Sequence, residues 1–354
     1  MRRALEYAPL ARLEARRVAR SGIGFGVLCC LGLAALVYGL DSAGGDPSAQ
    51  HALLRRGLWE LTLLFLLPAL ALHGAGVIPR WRRGEADWLA PRASRSGALA
   101  ATATGLALGV ALVSALPAAG AALTPWERNA AVADRCVLVH ELGAAALVSP
   151  QETLQFALDG VQYPQSGRLR MRVMPAAGGG RVRDVRLALV RDGSTNEASL
   201  VLQGPAWIEV ELPRGSGRVA VGLHNAGEGA VLVPGANSVQ VFGREGSNSA
   251  RFTDLWLRCV RALAVLVVLA MGCGAWMGTG PAAGCALVLP LVLESALGSG
   301  AWLPWSDLRP ALALMGEGRM DQAVGIRPWL SSLLWILGGL LLGRLGLRSW
   351  SVSA

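Results

Sequence analysis

Apolar residues in this chain gather into long unbroken runs towards both ends and break into short alternating stretches in the middle. The long runs lie near 21–40, 58–78, 98–123, 257–278, 281–299 and 328–346. Each approaches the roughly 18–25 residues that a helix rising about 1.5 Å per residue needs to cross about 30 Å of hydrocarbon. They predict about six transmembrane helices. The fourth and fifth are separated only by Gly278-Thr279-Gly280-Pro281, so they read as two spans or as a re-entrant pair.

The middle, from about 124 to 254, follows another period. Strands are expected at Val137–Val139, Leu154–Ala157, Leu169–Val173, Val182–Val190, Ser199–Leu202, Trp207–Leu212, Arg218–Leu223, Ala230–Val233 and Ser238–Phe242. Turn residues such as Asp159-Gly160 and Asp192-Gly193 separate them. Alternation is clearest in Trp207–Leu212, which puts Ile208, Val210 and Leu212 on one face. Short strands at this spacing predict a β-sandwich or jelly roll. The expected fold is thus a polytopic α-helical membrane protein with an inserted β-sandwich or jelly-roll-like domain.

Three segments flank these elements. Residues 3–19 form a basic amphipathic pattern, with Leu5, Leu10, Leu13 and Val18 on a broad apolar side and Glu6, Glu14 and the arginines elsewhere. Such a helix can lie in the headgroup plane. Residues 79–97 are rich in charge and tryptophan, and a short amphipathic helix is expected from about Glu85 to Ala90. Glu85 and Asp87 suit its positive N-terminal end, and Pro91 stops it. The competing reading of Trp88 is an interfacial anchor, with the arginines on lipid phosphate. Residues 300–327, with Trp302, Pro304, Trp305 and Pro310, suggest a segment lying on the membrane surface.

Composition and charge then set the orientation. The chain has 354 residues, 53% hydrophobic and 16% charged, with mean hydropathy +0.43. All 33 of its Lys+Arg residues are arginine, and the formal charge is +9. Without a lysine there is no P-loop, so ATP-driven work must be powered by another polypeptide. The basic charge reads as arginine flanking membrane helices rather than as a nucleic-acid surface. Arg2, Arg3, Arg12, Arg16, Arg17 and Arg20 precede the first run; Arg80, Arg82, Arg83, Arg92 and Arg95 follow the second; only Arg55 and Arg56 lie between them. The positive-inside rule puts the N-terminus and 79–97 in the cytoplasm, returns the C-terminus with Arg344 and Arg348 there, and leaves 124–254 outside. The first run lacks a good small-x-small exit and reads as an uncleaved span of a plasma (inner) membrane protein.

Candidate chemistry is sparse. His140-Glu141 begins like H-E-x-x-H, but residue 144 is Ala, so no metal is expected. Cys136 and Cys259 flank the polar section and are open to pairing on an oxidising side. His73 and Glu294 lie within apolar runs, where an ionisable residue is a functional candidate. No catalytic constellation is legible.

The basic helix Leu10-Ala11-Arg12-Leu13-Glu14-Ala15-Arg16-Arg17 before the first span, the charged stretch ending Ala90-Pro91-Arg92-Ala93-Ser94-Arg95 after the second, and the arginines closing the sixth together resemble the permease subunits of ABC-type exporters of the second class. The resemblance covers about 220 residues and rests on topology plus one loose motif. It implies an elbow helix over 1–20 and transmembrane helices 1–3 over 21–123. It implies helices 4–6 over 255–354, a cytoplasmic ABC ATPase partner carrying the ATP, and a second permease copy or paralogue. The coupling segment would comprise Glu85, Asp87, Trp88, Leu89, Pro91, Arg92 and Arg95. Two features depart from the family: Gly84-Glu85-Ala86-Asp87 replaces its Glu-x-Gly-Thr-Leu run, and a whole β-domain replaces a modest loop. That domain would receive an extracytoplasmic protein, a glycan or the cargo. The alternative is a non-transporting scaffold or sensor whose β-domain is the receptor. A polytopic enzyme is disfavoured because no polar cluster marks a site.

Overall fold

The computed structural model describes residues 2–40, 47–85, 95–123, 134–140, 142–159, 162–163, 167–176, 184–213, 215–216, 218–235, 238–244, 248–297 and 326–350, with residues 303, 307–308, 311–312 and 314 between the last two stretches. The chain divides into two compact units. One comprises Met1–Arg128, Ser249–Gly318 and Val324–Ala354; the other comprises Asn129–Asn248 and Arg319–Ala323.

The first unit is helical. Its elements are α1 (Arg2–Arg20), α2 (Ile23–Leu40), α3 (Pro47–Ala75), α4 (Val77–Arg80), a π-helical turn Trp81–Glu85, α5 (Arg95–Leu123), α6 (Asn248–Cys273), α7 (Thr279–Leu297) and α8 (Ile326–Trp350). Five stretches are long and apolar enough to cross a membrane: Tyr7–Val37, Leu54–Arg83, Ser96–Gly120, Phe252–Cys273 and Ile326–Arg348. The remaining expected run, the fifth in chain order, falls on α7. Its described apolar stretch, Thr279–Pro290, is shorter than a span. A turn at 274–278 joins α6 to α7, and Leu266, Ala270 and Cys273 pack against Ala282, Ala283 and Ala286 as a hairpin.

The helices meet through a shared core that includes Leu10 and Val18 of α1, Leu66 and Leu70 of α3, Leu106 and Val110 of α5, Leu263 and Val267 of α6, and Leu347 of α8. Close approach depends on glycine at several crossings, among them these two. A Cβ on Gly105 of α5 would run into the backbone of Ala11, and one on Gly272 of α6 would run into the carbonyl of Gly339 on α8. Small residues let helix backbones approach where lipid offers no hydrophobic drive for association. The crossing at Gly105 alters the expectation for the basic N-terminal helix. Rather than only covering a surface, α1 packs against α5, with Val18 set over Gly109. Large apolar side chains remain exposed on the outer faces: Phe25, Leu36, Leu64, Leu112, Leu334 and Leu341.

The second unit is antiparallel β. Its strands are β1 (Asp134–His140), β2 (Ala146–Val148), β3 (Thr153–Leu158), β4 (Gln162–Tyr163), β5 (Arg168–Pro175), β6 (Asp184–Arg191), β7 (Ser194–Val201), β8 (Ala206–Glu211), β9 (Gly215–Ser216), β10 (Val219–Asn225), β11 (Val231–Val233) and β12 (Val239–Arg244). One sheet has the order β1-β12-β5-β11-β2 with β8 also on β5; the other has the order β3-β10-β6-β7. Their alternating inward residues share one core, including Leu169, Met171 and Val173 of β5, Val239 and Val241 of β12, Leu187 and Leu189 of β6, and Val221 and Leu223 of β10. Two sheets over one alternating core make a β-sandwich-like unit. All nine expected strands are present, each with ends shifted by a few residues.

Candidate functional site at the arginine-rich end of the helical unit

Glu14 is the least exposed charged residue of α1, at 0%. Its position follows from helical spacing. Leu10, Glu14 and Val18 are each four residues apart, so they form one stripe, and that stripe is the buried one. A carboxylate held away from water needs partners. Arg17 supplies one, 2.9 Å away at i+3, and Arg80 at the end of α4 supplies a second at 3.8 Å. His73 lies near the C-terminal end of α3 and is half-buried. Among the described residues its buried Nε2 has no hydrogen-bond partner. Glu14 and Arg80 tie α1 to the end of the α3–α4 stretch, with Arg17 beside them.

The next turn extends this bracing. Trp81 is buried, and the Arg82 guanidinium donates to the carbonyls of Ala275, just after α6, and Gly346 near the end of α8, the latter at 3.3 Å. A cation suits those places, because the last carbonyls of a helix carry its negative end. Trp276 donates from Nε1 to the Leu342 carbonyl at 3.0 Å. Residues 80–82 are therefore joined to α1, α6 and α8 at one end of the unit.

The expected coupling residues begin where this bracing ends. Glu85 closes the π-helical turn, and Arg95 is the first residue of α5. Asp87, Trp88, Leu89, Pro91 and Arg92 lie outside the described residues, as does most of the helix expected over Glu85–Ala90. Glu294 lies on α7, with its backbone alone described. Among the described residues Glu14, Arg17 and Arg80 come together at this end of the unit.

A second charged cluster escaped the sequence reading. Asp254, Arg258 and Arg261 share a face of α6, and Asp307 approaches from the segment before α8. Arg258 reaches Asp254 at 2.9 Å and Asp307 at 3.6 Å, and Arg261 pairs with Asp307. The Arg261 guanidinium also lies 5.2 Å from the centre of the Trp329 ring. The local signal was the i,i+4 pair Asp254–Arg258; nothing local points to Asp307, 46 residues from Arg261.

In the β unit the His140 ring stacks on Phe156, with centroids 5.4 Å apart, and His224 shares a 3.0 Å hydrogen bond with Thr153. Among the described residues no group of three or more His, Cys, Asp or Glu side chains is placed to hold a metal. Cys136 and Cys259 are both buried, and they fall in separate units.

No protein-family model matches the chain, and no curated protein matches it. Among solved structures, one match is a family GH115 4-O-methyl-alpha-glucuronidase with specificity for decorated arabinogalactans. It is 13% identical over 43% of this chain and 29% of that one, with a TM-score of 0.22. The chain spans under a third of that protein, and a likeness at this level carries no argument about fold or function.

Proposed function

We propose that this chain is the membrane-spanning permease subunit of an ABC-type exporter, driven by a separate cytoplasmic ATPase and paired with a second copy or a paralogue. It is non-catalytic; ATP binds on the partner. It lies in the inner membrane with both termini in the cytoplasm, and its β unit, outside, receives an extracytoplasmic protein, a glycan or the cargo. The observation that best supports this reading is the bracing of residues 80–82. Arg80 is tied to Glu14 on α1, and Arg82 to the carbonyls of Ala275 and Gly346. A force applied to the adjoining residues 85–92 is thereby passed to three helices at once. An inert loop has no use for that arrangement. Differential contact of an ATPase in its two nucleotide states with Glu85, Asp87, Trp88, Leu89, Pro91, Arg92 and Arg95 would bias the helical unit between two arrangements.

The test is co-purification. The tagged full chain, extracted in mild detergent, should retain an ATPase. Loss of a well-packed interface tryptophan costs about 2 kcal/mol or more, about thirtyfold in affinity. Trp88→Ala should therefore release the ATPase and stop transport while the chain stays inserted. A Trp88→Ala chain that holds its ATPase as the parent does would remove residues 85–92 from the interface. A parent chain that retains no ATPase would leave the scaffold or sensor reading in its place.

A further inference from the structure

The N-terminal end of α5 and the C-terminal part of α8 enclose a cleft of about 230 Å³, lined by Ser96, Leu99, Leu340, Leu341 and Arg344. Its composition divides in two. Leu99 is buried, and with Leu340 and Leu341 it gives the cleft an apolar wall. Arg344 and the Ser96 hydroxyl are its polar groups, at the arginine-rich end of the unit.

Arg344 differs from Arg80 and Arg82. Arg80 and Arg82 are spent on Glu14 and on helix carbonyls. Among the described residues Arg344 has no hydrogen-bond or ion-pair partner. Neither α5 nor α8 contains a single Asp or Glu to supply one. A guanidinium beside an apolar cleft, with no carboxylate on either flanking helix, calls for a ligand that is an anion at one end and hydrocarbon at the other. The guanidinium fork is well suited to phosphate oxygens. Basic sites between membrane helices take lipid headgroups on this basis.

We propose that this cleft binds one anionic phospholipid from the surrounding bilayer, its phosphate on Arg344 and Ser96 and part of one acyl chain along Leu99, Leu340 and Leu341. The inference requires the helical unit to lie in a bilayer and owes nothing to transport. The bound lipid would bridge α5 and α8, which also meet at Gly343, set against Leu99.

The experiment is native mass spectrometry of the full chain, released from nanodiscs of equal parts phosphatidylglycerol and phosphatidylcholine. One phosphatidylglycerol should stay bound in preference to phosphatidylcholine. Arg344→Gln should lower that retention about fivefold, the expected contribution of one arginine near a lipid headgroup. Arg56→Gln, which changes an exposed arginine paired with Glu60, sets the background. Leu341→Trp fills the cleft from an exposed position and should displace the lipid with Arg344 intact. Millimolar inorganic phosphate should not compete, because it lacks the chain. Equal retention of the two lipids, retention unchanged by both Arg344→Gln and Leu341→Trp, or displacement by phosphate alone would overturn the assignment.

Discussion

In the helical unit Arg258 and Arg261 have side chains 2% and 3% exposed and face two carboxylates, Asp254 and Asp307. In the β unit Arg170 is equally hidden, at 4%, but lies 4.2 Å from the Trp207 ring centre and 4.9 Å from that of Phe242, donating to Gln240 at 2.7 Å. The means of assembly differ. Register builds the β site: Arg170 is directly opposite Gln240 on β12 and Glu209 on β8, and one step diagonal from Trp207 and Phe242. Ladder hydrogen bonds would hold those strands without the arginine. In the helical unit Asp307 reaches α6 from a segment distant in sequence, whose Leu308, Ala311 and Leu312 also pack into the helical core. Buried charge here joins two segments distant in sequence, whereas in the sheet it occupies a position that register sets.

The sharpest way to break that contrast is to remove one carboxylate from each unit. Asp307→Ala leaves two buried guanidiniums short of a partner and should destabilise the helical unit by about 3–5 kcal/mol, read by calorimetry of the full chain in detergent. Asp159→Ala, which removes the exposed partner of Arg218, should change the β transition by about 0.5 kcal/mol or less. Equal losses would mean that burial does not separate the two kinds of pair.

A smaller effect sharpens the β side. Arg170→Met keeps most of the apolar stem and removes the guanidinium from its two rings and Gln240. A desolvated cation on an aromatic face is worth about 2 kcal/mol, part of which the methionine recovers by packing. The β transition should therefore fall by about 1 kcal/mol, with the helical transition unmoved. A loss as large as that of Asp307→Ala would contradict the view that register alone holds the site.

The smallest effect concerns acid. Glu152 is fully exposed, and its carboxylate accepts the backbone N–H of Ser149 at 2.8 Å, which holds its pKa below the ordinary glutamate value. A carboxylate with a depressed folded pKa adds stability above its unfolded pKa and loses it as pH falls through the folded one. Glu152→Gln should therefore weaken the β unit slightly at neutral pH and flatten its acid-side decline. A titration by NMR that places Glu152 at or above an ordinary glutamate would refute the bond.

Legibility in the sequence divides along the same line. In the β unit β-rich runs bounded by turn residues located every strand longer than three residues, and β11. They missed β2, three residues long, and the two-residue pair β4 and β9, which are too short to alternate. In the helical unit hydropathy located the helices but misplaced Glu14, grouped with the arginines although its i±4 neighbours Leu10 and Val18 put it on the buried stripe. The acceptors of Arg82 were out of reach, because a carbonyl of Ala275 or Gly346 has no residue type to announce it. Asp307 was out of reach for the opposite reason: its type is informative, but its partners are fixed by tertiary contact.

The proposed transport role requires residues 79–97 inside the cell and 124–254 outside it. Cysteine labelling in whole cells tests that directly, using the full chain with its six native cysteines replaced. A cysteine at Ser194, exposed at the start of β7, should react with a membrane-impermeant maleimide. A cysteine at Ser94 should react only after the cells are opened. Reaction at Ser94 in intact cells, with silence at Ser194, would contradict the topology and the exporter reading that depends on it.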